Sequence, residues 1–249
     1  PFIDLHETKT SIVESELDDI QRMVLDILTE KNSGDESLLY YNSANSGGAR
    51  PKIAMQDSEG KHWIVKFRHT YDAVSVGREE YLYMKTAREC GINIPNIKLI
   101  NDKYFAIERF DIEQDKGVHV LTAAALLKSD FRNQTIDYTN LLALTGFLTQ
   151  NPKDVEEMYR RMVYNVVCEN RDDHAKNFSF ICRNGMWTLS PAYDITYSPV
   201  GTKGEHATSL FYNGNPTKDL MIKRGTVKKP NKILNLVGKT NLLELCSVI

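Results

Sequence analysis

Cysteine is scarce in this chain: Cys90, Cys168, Cys182 and Cys246 are the only four in 249 residues, and none forms a CxxC pair. That scatter excludes a zinc ribbon and a dense disulfide framework, and it suits a reducing, cytoplasmic setting. Long apolar runs are missing too. None approaches the roughly 18 residues of a membrane span, so no membrane partner is expected. Neither charge dominates: 31 Lys and Arg stand against 33 Asp and Glu, a formal net charge of −2. There is therefore no global electrostatic reason to bind nucleic acid or an anionic membrane. The opening "PFIDLHETKT" lacks the basic and apolar regions of a signal peptide. It also lacks an initiator Met, which leaves room for a longer parent. Repeats, low-complexity tracts and long linkers are absent. What is present, 41% hydrophobic and 26% charged residues, is ordinary globular composition, long enough for one large domain or two small lobes.

Periodicity divides the chain in two. Val13, Leu17, Ile20, Val24 and Ile27 recur at helical spacing. Strand-like runs follow: "SLLYY", then "KIAMQD" and "HWIVKFR" as a hairpin around "SEGK". "GREEYLYMKTARECG" predicts a helix ended by Gly91, and "NIKLI" with "YFAIERF" predicts a second hairpin around "NDK". After Asp111 the texture becomes helical, in "LTAAALLKSDF", "TIDYTNLLALTGFLTQ" and "PKDVEEMYRRMVYNVVCEN". Asn151-Pro152 reads there as a cap followed by Pro at the first helical position. The expectation is an α+β protein with a strand-rich part over 1–111 and a helical part over 112–249.

The densest polar cluster is "ENRDDHAKNFSF", Glu169 to Phe180, where a helix gives way to a strand-like run. Asp172 precedes Asn177 by five positions, the D-x-x-x-x-N spacing of a protein-kinase catalytic loop. Two strand-like runs then flank Asn184-Gly185, a strong hairpin signal, and the second leads to Asp194. Phosphoryl transfer needs this set. One Asp receives the hydroxyl proton, while an Asn and a second Asp offer hard oxygens to Mg²⁺ on the nucleotide phosphates. In the first half, Lys66 inside "WIVKF" is the candidate phosphate contact, with Glu79 or Glu80 to orient it. Gly47 and Gly48 permit a close loop over phosphates. Glu108, Arg109 and Phe110 stand where a hinge would meet adenine.

With "SGGARPK", "WIVKF", "EEYLYMKTARECGINIP", "YFAIERFD", "HVLTAA", "DDHAKNFSF" and "LSPAYDI" in order, nearly the whole chain resembles the HipA family. These are serine/threonine kinases that act as toxins of bacterial toxin–antitoxin systems. The resemblance implies a two-lobed protein-kinase-like fold, a strand-rich N-lobe and a helical C-lobe, using ATP and Mg²⁺. It implies Asp172 as proton acceptor, His174 and Lys176 in the same catalytic loop, and Asn177 and Asp194 as metal ligands. Gly47, Gly48, Ala49, Arg50, Pro51 and Lys52 would form the loop over the phosphates, with Lys66 (oriented by Glu80) and Glu108 to Phe110 completing the ATP site. Autophosphorylation, common in the family, would fall on Ser43 or Ser46. An aminoacyl-tRNA synthetase is the implied class of protein substrate. A helix-turn-helix antitoxin is the implied partner, with DNA reached only through it. Full-length members carry a small N-terminal domain, for which too little sequence is present. The chain is then a short, HipT-like member with that domain as a separate protein, or a fragment.

Two other readings compete. Asp172, Asp173, His174 and Asp194 can be read as the metal site of a phosphoester hydrolase, which leaves Lys66, the glycine loop and the hinge without roles. A kinase fold without turnover, acting through an antitoxin or another partner, has every catalytic position filled and must be separated by experiment.

Overall fold

The computed structural model describes residues 14–29, 50–128, 136–198 and 206–208, with the backbone of 211–212 and 215–216. The chain divides into two compact units: Pro1–Leu82 with Pro95–Ile112, and Tyr83–Ile94 with Glu113–Ile249. The run "SLLYY", Gly47, Gly48, Ala49, Ser43 and Ser46 lie outside the described residues.

In the first unit α1 (Leu17–Leu28) follows a short 3-10 turn. Its Leu17, Ile20 and Val24 pack on Ile53, Met55, Trp63 and Val65. These last four alternate along β1 (Lys52–Gln56) and β2 (His62–Lys66), so one sheet face is committed to α1. Lys52, Ile64 and Lys66 stand on the other. Asp57 builds the tight turn between the strands. It accepts from the backbone N–H groups of Glu59 and Lys61 at 3.0 and 2.9 Å, and from the Trp63 indole at 2.8 Å.

The helix α2 (Val76–Glu89) comes next. Gly77, Glu80, Met84 and Ala87 form its buried stripe. A Cβ on Gly77 would stand 2.0 Å from the Lys103 carbonyl oxygen, so only glycine admits this close approach of helix start to turn. Gly91, at φ +80°, ends the helix as predicted. Its N–H donates to Arg88 O and that of Ile92 to Ala87 O, at 2.9 and 3.0 Å, the two bonds of a Schellman cap. The hairpin of β3 (Ile97–Ile100) and β4 (Tyr104–Glu108) turns at Asn101 and Asp102, both at positive φ as a type I′ turn requires. The sheet is antiparallel throughout, in the order β1-β2-β4-β3.

A small ribbon, β5 (Ile112–Glu113) with β6 (Lys116–Gly117), precedes the strand β7 (His119–Thr122). "LTAAALLKSDF" is thus less helical than its composition predicts. Leu121 and Thr122 pair with Phe180 and Ser179 in a sheet, and among the described residues of this run, up to Lys128, the helix is α3 (Ala123–Leu126). A distant strand outcompetes the local alanine propensity. The second unit continues with α4 (Tyr138–Thr149) and α5 (Pro152–Val167). Asp137 and Asn140 make a capping box on α4. On α5, Asn151 accepts from the Lys153 N–H ahead of Pro152, the predicted arrangement. The strands β8 (Ser179–Arg183) and β9 (Met186–Leu189) form the hairpin read at Asn184-Gly185, both at positive φ, and complete a β7-β8-β9 sheet. Tyr138, Leu141, Met158, Phe178, Phe180 and Leu189 knit helices and sheet into one core. A last two-stranded ribbon pairs β10 (Phe211–Tyr212) with β11 (Asn215–Pro216). Among the described residues no helix is long and apolar enough to cross a membrane.

Candidate active site

Residues 171–178 leave α5 as extended chain and a 3-10 turn over Ala175–Asn177. Extended geometry alternates the side chains: Asp172 is exposed, Asp173 buried, His174 intermediate, Ala175 buried and Lys176 exposed. The polar crowd in the sequence is therefore two sets pointing opposite ways. Asn177 folds back on the start of the loop. Its N–H donates to His174 O at 2.8 Å and its Nδ2 to the Asp172 carbonyl oxygen at 2.9 Å. The side-chain nitrogen is used in holding the loop, which leaves the amide oxygen as the end that can meet a cation.

Asp194 is half-buried and has φ +54°, the left-handed region that Asp tolerates better than most residues. Tyr193 links it to the loop. The Tyr193 hydroxyl donates to the Lys176 carbonyl oxygen at 2.7 Å and is hydrogen-bonded to the Ser179 hydroxyl. The residues immediately before Asn177 and Asp194 are thus joined by a hydrogen bond. Further back, the buried Arg161 donates to Ser190 O at 2.7 Å while pairing with Glu157 at 3.0 Å, and it fixes the strand that leads to Asp194. Burial pulls the Arg161 guanidinium below its ordinary pKa, and the Glu157 charge opposes that.

An amide oxygen and a carboxylate are hard donors, and Mg²⁺ takes few protein ligands while keeping waters and phosphate oxygens. The pair Asn177 and Asp194 fits such an ion. No group of three or more His, Cys, Asp and Glu side chains suited to a metal exists among the described residues. Asp173 in particular is removed from any metal set. Its carboxylate accepts from Tyr138 Oη at 2.5 Å, from His206 Nδ1 at 3.0 Å and from the Thr208 N–H at 3.2 Å.

In the first unit the Lys66 ammonium meets Glu80 at 2.6 Å, with the Lys66 side chain 14% and the Glu80 side chain 3% exposed. Glu79 is exposed and bonds Ser75 instead. The ammonium also lies 5.6 Å from the Phe105 ring centre. Directly opposite Lys66 on β1 stands Lys52. Like charges at opposed positions destabilise a sheet. Arg50 is held nearby, bidentate on Asp72 at 3.1 Å for each bond. Burial lowers the Arg50 pKa, but the Asp72 hydrogen bond and charge, with Glu80 behind them, more than offset that and leave it raised. Arg50, Lys52 and Lys66 thus collect positive charge at the ends of β1 and β2, with Pro51 between the first two. At the close of β4, Glu108 accepts from Asn96, and the Arg109 N–H donates to His62 O at 2.8 Å. The Arg109 guanidinium is bidentate on Asp111, and Phe110 is half-buried. Burial raises the Asp111 pKa, the Arg109 bonds more than reverse it, and the net is a lowered value.

The contacts bring together Lys66 with Glu80, and Asp172, Lys176, Asn177 and Asp194 through backbone and Tyr193. Tyr193, Arg161 and His206 are the site residues that pattern reading passes over, and Asp173, read there only as a candidate metal ligand, is a buried anchor instead. Of the three, only Tyr193, inside "LSPAYDI", had a local signal.

The sequence matches the family described as HipA-like C-terminal domain over residues 44–241. A protein of Sinorhizobium fredii named "Putative kinase Y4dM" is 27% identical over 206 residues, 76% of this chain and 48% of the relative. One of Haemophilus influenzae named "Putative kinase" is 29% identical over 144 residues, 50% of this chain and 42% of the relative. The chain spans about half the length of these curated relatives or less. Among solved structures, HipA of Shewanella oneidensis, in a complex with HipB and operator DNA, matches at TM-score 0.58 and 20% identity. That match covers 82% of this chain and 55% of that one. The fold is accordingly the two-lobed, α+β protein-kinase-like one. This chain belongs to the HipA-like C-terminal domain family.

Proposed function

We propose that the chain is a Mg·ATP-dependent protein kinase of the HipA type, transferring the γ-phosphoryl group of ATP to a serine or threonine hydroxyl. The observation that carries this reading is the loop Asp172–Asn177: Asp172 faces outward, and the Asn177 amide locks that same loop by its Asp172 carbonyl bond. Asp172 receives the proton of the attacking hydroxyl as that oxygen bonds the γ-phosphorus and the bond to the ADP oxygen breaks. Lys176 steadies the transferred group and His174 shapes the loop. Mg²⁺, held by Asn177 and Asp194, supplies charge neutralisation on the phosphates. Residues 1–111 grip the nucleotide through Lys66, oriented by Glu80, through Gly47 to Lys52, and at Glu108 to Phe110; residues 112–249 carry transfer. The Lys66–Glu80 pair supports this, because a buried carboxylate holds the ammonium in place on the sheet face that also carries Lys52.

The same reading extends to the substrate and partners that the family suggests: a translation component such as an aminoacyl-tRNA synthetase, and autophosphorylation at Ser43 or Ser46. A helix-turn-helix antitoxin would bind the chain in the bacterial cytoplasm, with DNA reached only through it, and a separate small protein would stand in for the N-terminal domain. The test is incubation with Mg²⁺ and ATP labelled at the γ-phosphate, alone and with cell extract, beside Asp172→Asn. Label on this chain or on a discrete extract protein, reduced at least about a hundredfold in the variant, is the expected result. ATP binding by calorimetry without label in any sample would replace the kinase with a silent, partner-directed kinase fold.

A further inference from the structure

Asp173 sits one residue from the proposed base and faces the opposite way, 1% exposed. A carboxylate in an interior is costly unless each lone pair finds a donor. Its donors come from two distant parts of the second unit. Tyr138, the first residue of α4, donates its hydroxyl at 2.5 Å, and Asn165 of α5 in turn donates to that hydroxyl at 3.0 Å. Asn170 continues the chain, donating to Asn165 Oδ1 at 3.0 Å. From the other side come His206 Nδ1 and the Thr208 N–H, and the Thr208 hydroxyl donates to the Asp173 carbonyl oxygen at 2.5 Å. The Ala207 N–H donates to Arg171 O at 2.9 Å, so residues 207 and 208 bind the loop backbone at Arg171 and Asp173 while His206 and the Thr208 N–H hold the Asp173 carboxylate. Burial, with the charge and hydrogen bond of Asp173 behind it, raises the Tyr138 pKa well above its ordinary value, so Tyr138 is an O–H donor at every physiological pH.

Resting on the kinase reading above, we propose that Asp173, Tyr138 and His206 are positioning residues for phosphoryl transfer. They anchor the back of the catalytic loop and tie it to the chain downstream of Asp194. Arg171–His174 has no regular structure; its start is tied to Ser198 O by the Arg171 N–H at 3.2 Å and its front to Asn177 at the Asp172 carbonyl, while Asp173 holds its back. Alternation along extended backbone makes the two acids inseparable: whatever fixes Asp173 inward fixes Asp172 outward. The same knot returns the segment that starts at Asp194 to the loop it left, so both arms that carry the proposed base and metal ligands end on one buried carboxylate. None of the three touches substrate; each acts through the backbone between Asp172 and His174. Proximity terms in catalysis are lost steeply when a reacting group is displaced by about 1 Å, which is the sensitivity the anchor protects.

The test uses the full chain with Tyr138→Phe, which removes one donor and keeps the ring packed on Phe178. Thr208→Val is made beside it, because it removes the hydroxyl bond on the opposite side of the knot and is close to isosteric at this buried position. Two readouts are taken: amide hydrogen exchange over Arg171–Asn177, and kcat with KM for ATP. Each variant is expected to speed exchange in that loop and to lower kcat about tenfold, the rate equivalent of one lost buried hydrogen bond, at a KM for ATP within about twofold of the parent. Asp173→Asn, which keeps the shape and one acceptor, should fall between the parent and Asp173→Ala. Unchanged loop exchange in folded Thr208→Val and Tyr138→Phe, or a loss carried wholly by KM, overturns the proposal. If the parent transfers no phosphate while loop exchange still responds to both variants, the kinase reading falls and the anchor stands.

Discussion

Removing Glu80 tests the most consequential pair in the first unit. Its carboxylate is 3% exposed, lies 2.6 Å from Lys66, and also feels Arg50. Glu80→Gln therefore removes the carboxylate that answers the Lys66 ammonium, with Lys52 directly across the ladder, while Arg50 keeps its Asp72 pair. Breaking one side of a buried pair costs about 3–5 kcal/mol, because the partner stays charged without compensation. Lys66→Met should cost less, about 2 kcal/mol, since Arg50 remains to answer Glu80 and the Lys66 side chain is 14% exposed. The double variant Lys66→Met with Glu80→Gln should cost far less than the sum, a coupling of at least about 2 kcal/mol. Urea unfolding followed by fluorescence is the assay. Of the two tryptophans, Trp63 belongs to the first unit and Trp187 to the second. A Trp187→Phe background thus reports the first unit alone, which matters because two units need not unfold in one step. A coupling under about 0.5 kcal/mol, the worth of an exposed pair, would refute the reasoning.

Three other outcomes follow from described contacts. Tyr193→Phe removes the hydroxyl that joins the residues before Asn177 and Asp194. It should raise the Mg²⁺ needed for half-maximal ATP binding by about two- to tenfold, one hydrogen bond's worth; an unchanged titration by calorimetry would show that the bond does not set the metal pair. Gly77→Ala forces a Cβ to 2.0 Å from the Lys103 carbonyl, so the start of α2 must shift and about 1–3 kcal/mol of stability should be lost by urea titration. Asp57 gives a pH signature. Burial raises its pKa, but the backbone N–H of Lys61, the Trp63 indole and Lys98 override that and bring it from 3.8 to about 2. Because the folded value is the lower one, its stabilising contribution is full above about pH 4 and disappears as pH falls through about 2. Asp57→Asn should flatten that part of the acid limb in a stability-versus-pH series, and an identical slope would discount the turn.

Much of the architecture was legible because its signals are local. Asn184-Gly185, Asn101-Asp102, Gly91 and Asn151-Pro152 each impose a backbone geometry within a few residues of themselves, and each does so in the structure. The D-x-x-x-x-N spacing and the hairpin running to Asp194 were legible for the same reason. Features that depend on remote partners were not. Asp172 and Asp173 are the same residue in a row, and the one turned in is the one that meets remote donors: the Tyr138 and His206 side chains, 35 and 33 positions away, and Thr208. The strand at Leu121–Thr122 likewise depends on β8. Glu80 rather than Glu79 was within reach. Gly77, Met84 and Ala87 define the stripe, and 80 falls on it while 79 does not.

The left-handed backbone at Asp194 has a consequence for any variant made to test its proposed role as a ligand. Alanine there would remove a carboxylate and also force a residue with no local polar compensation into a conformation that costs it about 1 kcal/mol or more. The resulting loss would mix a missing ligand with a misshapen chain, and the two could not be told apart afterwards. Asparagine tolerates the same dihedral angles, so Asp194→Asn subtracts only the charge. A silent reference protein built that way keeps its outline for binding studies, while one built by alanine scanning would carry a second, unrecorded change.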